Sequence, residues 1–141
     1  MKQVILSLGV VLLPQGLWAQ EMLKPIAPKF KPDPIVIEGK VEGTVPLGEV
    51  VKGKATKGNC GGYSTDSPTY VLPLAKDFPY LNLKVRGEGV MVMVQGPDGI
   101  FCRQGNPEIA GIWTAGVYQI WIGTQSKTKA KFRLSLSETD Q

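Results

Sequence analysis

The clearest signal in this chain is a period-two alternation of apolar and polar positions. Over Tyr80–Arg86, Leu81, Leu83 and Val85 fall on one side, and Tyr80, Asn82, Lys84 and Arg86 on the other. Such alternation predicts a strand with one buried face. Over Thr128–Ser137, Ala130, Phe132, Leu134 and Leu136 point inward, and Lys129, Lys131, Arg133, Ser135 and Ser137 point out. Val117–Gly123 reads as a third strand, with Tyr118, Ile120 and Ile122 opposite Val117, Gln119 and Trp121. Val90–Val94 is apolar on both sides, which marks a strand covered twice, or one whose second face meets a loop. Gly96-Pro97-Asp98-Gly99 follows at once and supplies the residues of a tight turn. It predicts a hairpin from Val90–Gln95 to Ile100–Cys102.

Other stretches are less regular. Tyr70–Leu74 is a strand whose Pro73 suggests an edge or a bulge. Ile35–Glu38 is a short β-branched run closed by Gly39, and Lys40–Gly62 holds six glycines and few large apolar residues. That stretch has room for a short strand such as Gly48–Lys52, and for no helix of useful length. Asn106–Ile112 is helix-like at most, and Pro107 and Gly111 favour a turn. Short strands with glycine-rich turns predict an all-β, antiparallel β-sandwich of jelly-roll-like form as a single domain, with a small closed barrel as the alternative.

The first residues read differently. Met1-Lys2-Gln3, the apolar run Val4–Leu13, the breakers Pro14 and Gly16, and Leu17-Trp18-Ala19 match a secretory signal peptide. The apolar run is shorter than the roughly 20 residues that span a bilayer, and no cysteine near Ala19 offers a lipid attachment point. Residues 1–19 are therefore expected to be a signal peptide, and the mature form to start near Gln20 with no transmembrane segment. Residues 20–34 contain Pro25, Pro28, Pro32 and Pro34 with Lys24, Lys29 and Lys31, and predict an extended basic tether. The sandwich domain is assigned to 35–138 and a short tail to 139–141. The expected compartment is periplasmic or extracellular.

Composition narrows the chemistry. Among 141 residues there are 17 glycines, 11 prolines, two cysteines and no histidine, with a net charge of +4. Without histidine, Ser-His-Asp and Cys-His catalysis and the commonest zinc ligand are absent. No paired carboxylates sit at a spacing that a β fold would force together. The expectation is a protein that is not an enzyme.

Val-Gln-Gly-Pro-Asp-Gly (94–99), Cys102, Asn106-Pro107-Glu108-Ile109, Gly111-Ile112-Trp113, Gly116-Val117-Tyr118 and Ile120-Trp121-Ile122-Gly123 form an arrangement that resembles bacterial pre-peptidase C-terminal domains. These pair such a turn with a later Gly-x-Tyr strand. The resemblance covers Tyr70–Ser137, and more loosely Ile35 onward. It implies a sandwich that serves as an accessory module to secreted enzymes, and the module is expected to stand alone here. Some relatives bind calcium through acidic loops. Here the corresponding loop reads Arg103-Gln104-Gly105-Asn106, and only the scattered Asp66, Asp98 and Glu108 remain, so no cofactor is expected.

Three groups of residues are candidates for function or stability. Cys60 and Cys102 are expected to form a disulfide in an oxidising compartment. Trp113 and Trp121, with Tyr118, suggest a surface on which sugars stack, and core packing explains them equally. Lys127, Lys129, Lys131 and Arg133 lie two apart, so one strand puts all four on one face. That face is either simply solvated or a patch for a protein or anionic polysaccharide partner of the cell envelope, which Lys84 and Arg86 would enlarge. Nucleic acid is not expected, because no recognition motif accompanies the charge. The functional expectation is an exported, non-catalytic binding or accessory domain, and the alternative is a structural or adhesive envelope component.

Overall fold

The computed structural model describes residues 20–141. The expected signal peptide, 1–19, lies outside the described residues. Two sheets pack face to face. Their strands are β1 (Glu21–Met22), β2 (Ile35–Glu42), β3 (Val45–Pro46), β4 (Tyr63–Ser64), β5 (Tyr70–Leu74), β6 (Phe78–Arg86), β7 (Val90–Gly96), β8 (Gly99–Gln104), β9 (Glu108–Trp113), β10 (Gly116–Thr124) and β11 (Lys129–Ser137). A single helical turn, α1 (Leu47–Val50), follows β3.

The first sheet is built around β10. On one edge, Gln119–Thr124 pairs antiparallel with β7, which forms the expected hairpin with β8. On the other edge, Gly116–Ile120 pairs with β5, and Thr124 meets Tyr63 of β4. β1 and β3 add outside β5 and β4. The second sheet is antiparallel, in the order β2-β11-β6-β9. The alternation sends Leu81, Leu83 and Val85 of β6 and Phe132, Leu134 and Leu136 of β11 against Val90, Val92, Val94, Tyr118, Ile120 and Ile122 of the first sheet. Each fully buried aliphatic chain of this kind contributes about 1.5–3 kcal/mol.

β7 is covered on both faces, as its sequence predicts. Met91 and Met93 point away from the main core and lie, with no exposure, in a second apolar cluster with Leu47, Val51, Ile100, Cys102 and Trp121. Residues 47–62 form a lid over this cluster. Lys57 pins the lid to the outer edge of β8: its N–H donates to the Ile100 carbonyl at 2.8 Å, and its carbonyl accepts from the Cys102 N–H at 2.8 Å.

Several expectations are corrected. Residues 20–34 are neither extended throughout nor a free tether: the backbone turns at Pro28 and Lys29, where Lys29 has φ +70°, and bends over 31–34. β1 pairs in parallel with β5, Ile26 is buried beside Leu74, and Leu23 and Phe30 pack against the core. Apolar side chains between the prolines make this segment a strap. The tail is also held: Gln141 donates to Asn82 Oδ1 at 2.9 Å, and Tyr80 bonds to Asp140. Leu47–Val50 is a helical turn, where a strand over Gly48–Lys52 was expected, because Leu47 must reach the second cluster. Gly39 does not end β2. A Cβ there would lie 2.8 Å from Phe132 Cζ, so the glycine seats that ring and the strand continues to Glu42. Finally, Asn106–Ile112 is not a turn throughout. Glu108–Trp113 is strand β9 on the edge of the second sheet, and its Gly111, at φ +141°, lies beside a register shift between Phe78 and Leu81.

Candidate binding face

Cys60 and Cys102 form the expected disulfide, with Cα atoms 5.1 Å apart. Cys102 is fully buried on β8 and Cys60 lies in the lid. The bond therefore fastens lid to sheet and exposes no thiol.

The tryptophans do not form a sugar platform. Trp113 and Trp121 are each only 4% exposed. Trp113 belongs to the main core, its ring centroid 4.9 Å from that of Tyr118. Trp121 lies on the opposite side of the first sheet, under the lid, and its Nε1 donates to the Asp66 carbonyl at 3.2 Å. Apolar burial claims both rings. Burial also raises the Tyr118 hydroxyl above its ordinary pKa of 10.0.

The basic set divides. Lys129, Lys131 and Arg133 are exposed on the outer face of β11, as alternation requires. Lys127 precedes the strand and sits with its Nζ 6.0 Å from the centre of the Tyr63 ring, so it does not extend the row. In its place β2 contributes Lys40, and β6 contributes Arg86. Register makes this arrangement informative. Lys131 lies directly opposite Lys40, and Arg133 directly opposite Arg86. Like charges at directly opposed positions destabilise a sheet by about 0.2–1 kcal/mol each. Glu38, opposite Arg133, and Glu42, opposite Lys129, temper the charge without removing it. Lys84 is engaged elsewhere, bonded to the Gln141 carbonyl.

Lys40, Arg86, Lys131 and Arg133 border a shallow depression of about 590 Å³, together with Glu38 and the backbone of Gly39 and Gly87. A second depression, of about 460 Å³, continues along β2 and β11 past Lys40, Lys129 and Lys131. Along this open trough five cations, Lys40, Arg86, Lys129, Lys131 and Arg133, outnumber two carboxylates, Glu38 and Glu42. Sequence reasoning missed Lys40. The signal was present as Glu38-Lys40-Glu42, but it was hidden because β2 was expected to stop at Gly39.

The acidic residues do not converge. Asp98 accepts from Thr114 at 3.2 Å, and Glu108 accepts from Asn82 Nδ2 at 2.5 Å. Among the described residues, no group of three or more His, Cys, Asp or Glu comes together in a way that would hold a metal ion.

Comparison with known proteins adds to this geometry. No family model matches the chain. Among solved structures, it is similar to the pre-peptidase C-terminal domain of collagenase from Bacillus anthracis, with a TM-score of 0.50 at 14% identity, covering 84% of this chain and 96% of that one. The fold is that of a pre-peptidase C-terminal domain. Another similar structure is PliG of Aeromonas hydrophila, a periplasmic inhibitor of g-type lysozyme, with a TM-score of 0.47 at 14% identity, covering 84% of this chain and 98% of that one. In sequence, the chain is 36% identical over 78 residues to an uncharacterized protein of Synechococcus elongatus. That match covers 52% of this chain and 55% of the relative, so the chain spans about half the length of the curated relative it matches.

Proposed function

We propose that this protein is an exported, non-catalytic binding domain whose outer face on the second sheet takes an anionic polysaccharide of the cell envelope. The observation that carries the reading is the pair of like-charge contacts, Lys40 with Lys131 and Arg86 with Arg133, around one open trough. Such pairs cost stability in the free protein, and an anionic ligand relieves that cost. The trough is shallow and follows the strands, which suits an extended polymer better than an enclosed small molecule. The disulfide fits an oxidising compartment. A chain without histidine fits binding better than acid–base catalysis.

The test is retention of the purified protein on immobilised polyuronate beside a neutral glucan. Retention on the polyuronate alone, weakening as salt rises, is expected. The double variant Lys131→Glu with Arg133→Glu should lose retention while keeping its sheet circular dichroism, because both side chains are exposed. Equal retention of the variant, or no retention of the native protein, overturns the reading. Capture of acidic proteins in place of polyuronate would transfer the face to a protein partner and also reject it.

A further inference from the structure

We propose that the free edge of β9 is a self-association edge, through which two copies of this chain join their second sheets. The Val85 N–H donates to the Pro107 carbonyl at 2.9 Å, immediately before β9. In an antiparallel ladder, successive residues turn their backbone groups to alternate edges. Pro107, Ile109 and Gly111 therefore face β6, and Glu108, Ala110 and Ile112 present three N–H and three C=O groups at the open edge. No described residue bonds to those groups. The same three residues are exposed, Ile112 at 76%.

The other edges are defended. Lys57 covers β8 with two backbone hydrogen bonds. The two-residue strands β1 and β3 occupy the far edge of the first sheet. β2 carries Glu38, Lys40 and Glu42, the alternating charges that discourage edge pairing. β9 has one charge, Glu108, at its end.

The edge is complementary to itself. Antiparallel pairing about a twofold axis at Ala110 sets Ala110 opposite Ala110 of the second copy, and Glu108 opposite Ile112 in both directions. Every residue with free backbone groups is then a hydrogen-bonded pair, giving about six inter-chain bonds. No like charges meet, the small Ala110 lies at the axis, and the exposed Ile112 covers the stem of Glu108. Because the axis stands perpendicular to the sheet, both basic troughs lie on the same side of the joined sheet, turned relative to each other by its twist of about 20–25° per strand. Five strand spacings of about 4.8 Å separate the two β11 strands by about 24 Å. One extended polymer then reaches both, which raises avidity without any new contact. A contact of one six-residue edge is smaller than a standard interface of about 1,600 Å², so the dimer is a weak one.

Sedimentation of the purified protein from micromolar to millimolar concentration should show a reversible monomer–dimer equilibrium. Ala110→Lys places two like charges at the axis and should weaken the dimer by up to about fivefold, with unchanged circular dichroism. Ala110→Cys should be joined into a covalent dimer by a short bifunctional thiol cross-linker, since opposed Cβ atoms in a hydrogen-bonded pair lie about 5.5 Å apart. Ile112→Cys should not, because its counterpart lies four residues away along the strand. A monomer at every concentration, a dimer indifferent to Ala110→Lys, or faster cross-linking through Ile112→Cys overturns the proposal.

Discussion

Replacing both Cys60 and Cys102 with alanine should destabilise the protein and open the lid before the sandwich. The bridge joins positions 42 apart. In the chain-entropy treatment, a closed loop of that length is worth about 4 kcal/mol through its constraint on the unfolded state. The loss has a definite place in the native fold as well. Without the bridge, residues 47–62 hold to the first sheet through Leu47, Val51, the two backbone bonds of Lys57, and Gln104, whose Nε2 donates to the Asn59 and Gly61 carbonyls at 2.9 Å each. The main core lies on the other side of that sheet and does not depend on them. Urea denaturation followed by circular dichroism should therefore show a drop of about 2–5 kcal/mol with the sheet signal intact at low denaturant. Hydrogen exchange should lose protection first at the Lys57 and Cys102 amides, while β6 and β11 keep theirs. In the chain from Gln20, acrylamide should reach Trp121 once the bridge is gone, while Trp113 in the main core stays shielded. A drop below about 1 kcal/mol, or simultaneous loss of protection in the lid and β11, would refute the reasoning.

Burial is the main cause that raises the hydroxyls of Tyr70 and Tyr118 above 10.0. Above about pH 10 the unfolded chain binds fewer of these protons than the native one, so stability is intact below that pH and falls as pH rises further. A urea midpoint identical at pH 9 and pH 11 would contradict this. Gly96→Ala should lower stability by about 1–3 kcal/mol in thermal denaturation, because its Cβ would lie 2.2 Å from Tyr118 Cδ2 in a packed ring contact. No change would mean that the ring yields freely. Ile26→Ala should cost about 2–4 kcal/mol in urea if the proline-rich strap is part of the fold, since Ile26 is only 8% exposed and packs in the core. A free tether would give an effect near zero.

The long strands were legible because one physical rule governs them. β6, β7, β10 and β11 bury one face between two sheets, and burial selects apolar side chains at every second position. Even the double apolar pattern of Val90–Val94 carried its meaning, a strand with a lid on its second face. The rule fails where side chains are small or burial is one-sided in another way. Gly39 and Gly111 read as breakers because the sequence does not show that Phe132 packs on the first, or that the second lies in an irregular edge strand. The strap was misread because proline excludes a central strand but does not exclude docking, and Leu23, Ile26 and Phe30 supply the apolar anchor. The basic row was half legible. Period two gave Lys129, Lys131 and Arg133, but only the register across strands could show Lys40 and Arg86 directly opposite two of them.

That register bears on where function can reside. The first sheet has its inner face in the core, and the lid covers the outer face of β7 and β8, with the disulfide and both tryptophan environments committed to packing. Substitution there reads out as stability. The second sheet has one face in the same core and leaves its other face with exposed charge on β2 and β11. A sheet selected only for solubility would alternate signs across its strands, as Glu42 does against Lys129 and Glu38 against Arg133. At Lys131 with Lys40, and at Arg133 with Arg86, it does the opposite, around the trough floored by Gly39 and Gly87. Reversing one partner by Lys40→Glu should therefore stabilise the free protein by about 0.2–1 kcal/mol and weaken polyuronate retention. A gain in stability together with a loss of retention is the signature of a binding face. A gain with retention unchanged would leave these charges as a defect of packing, and would remove the main support for assigning function to this sheet.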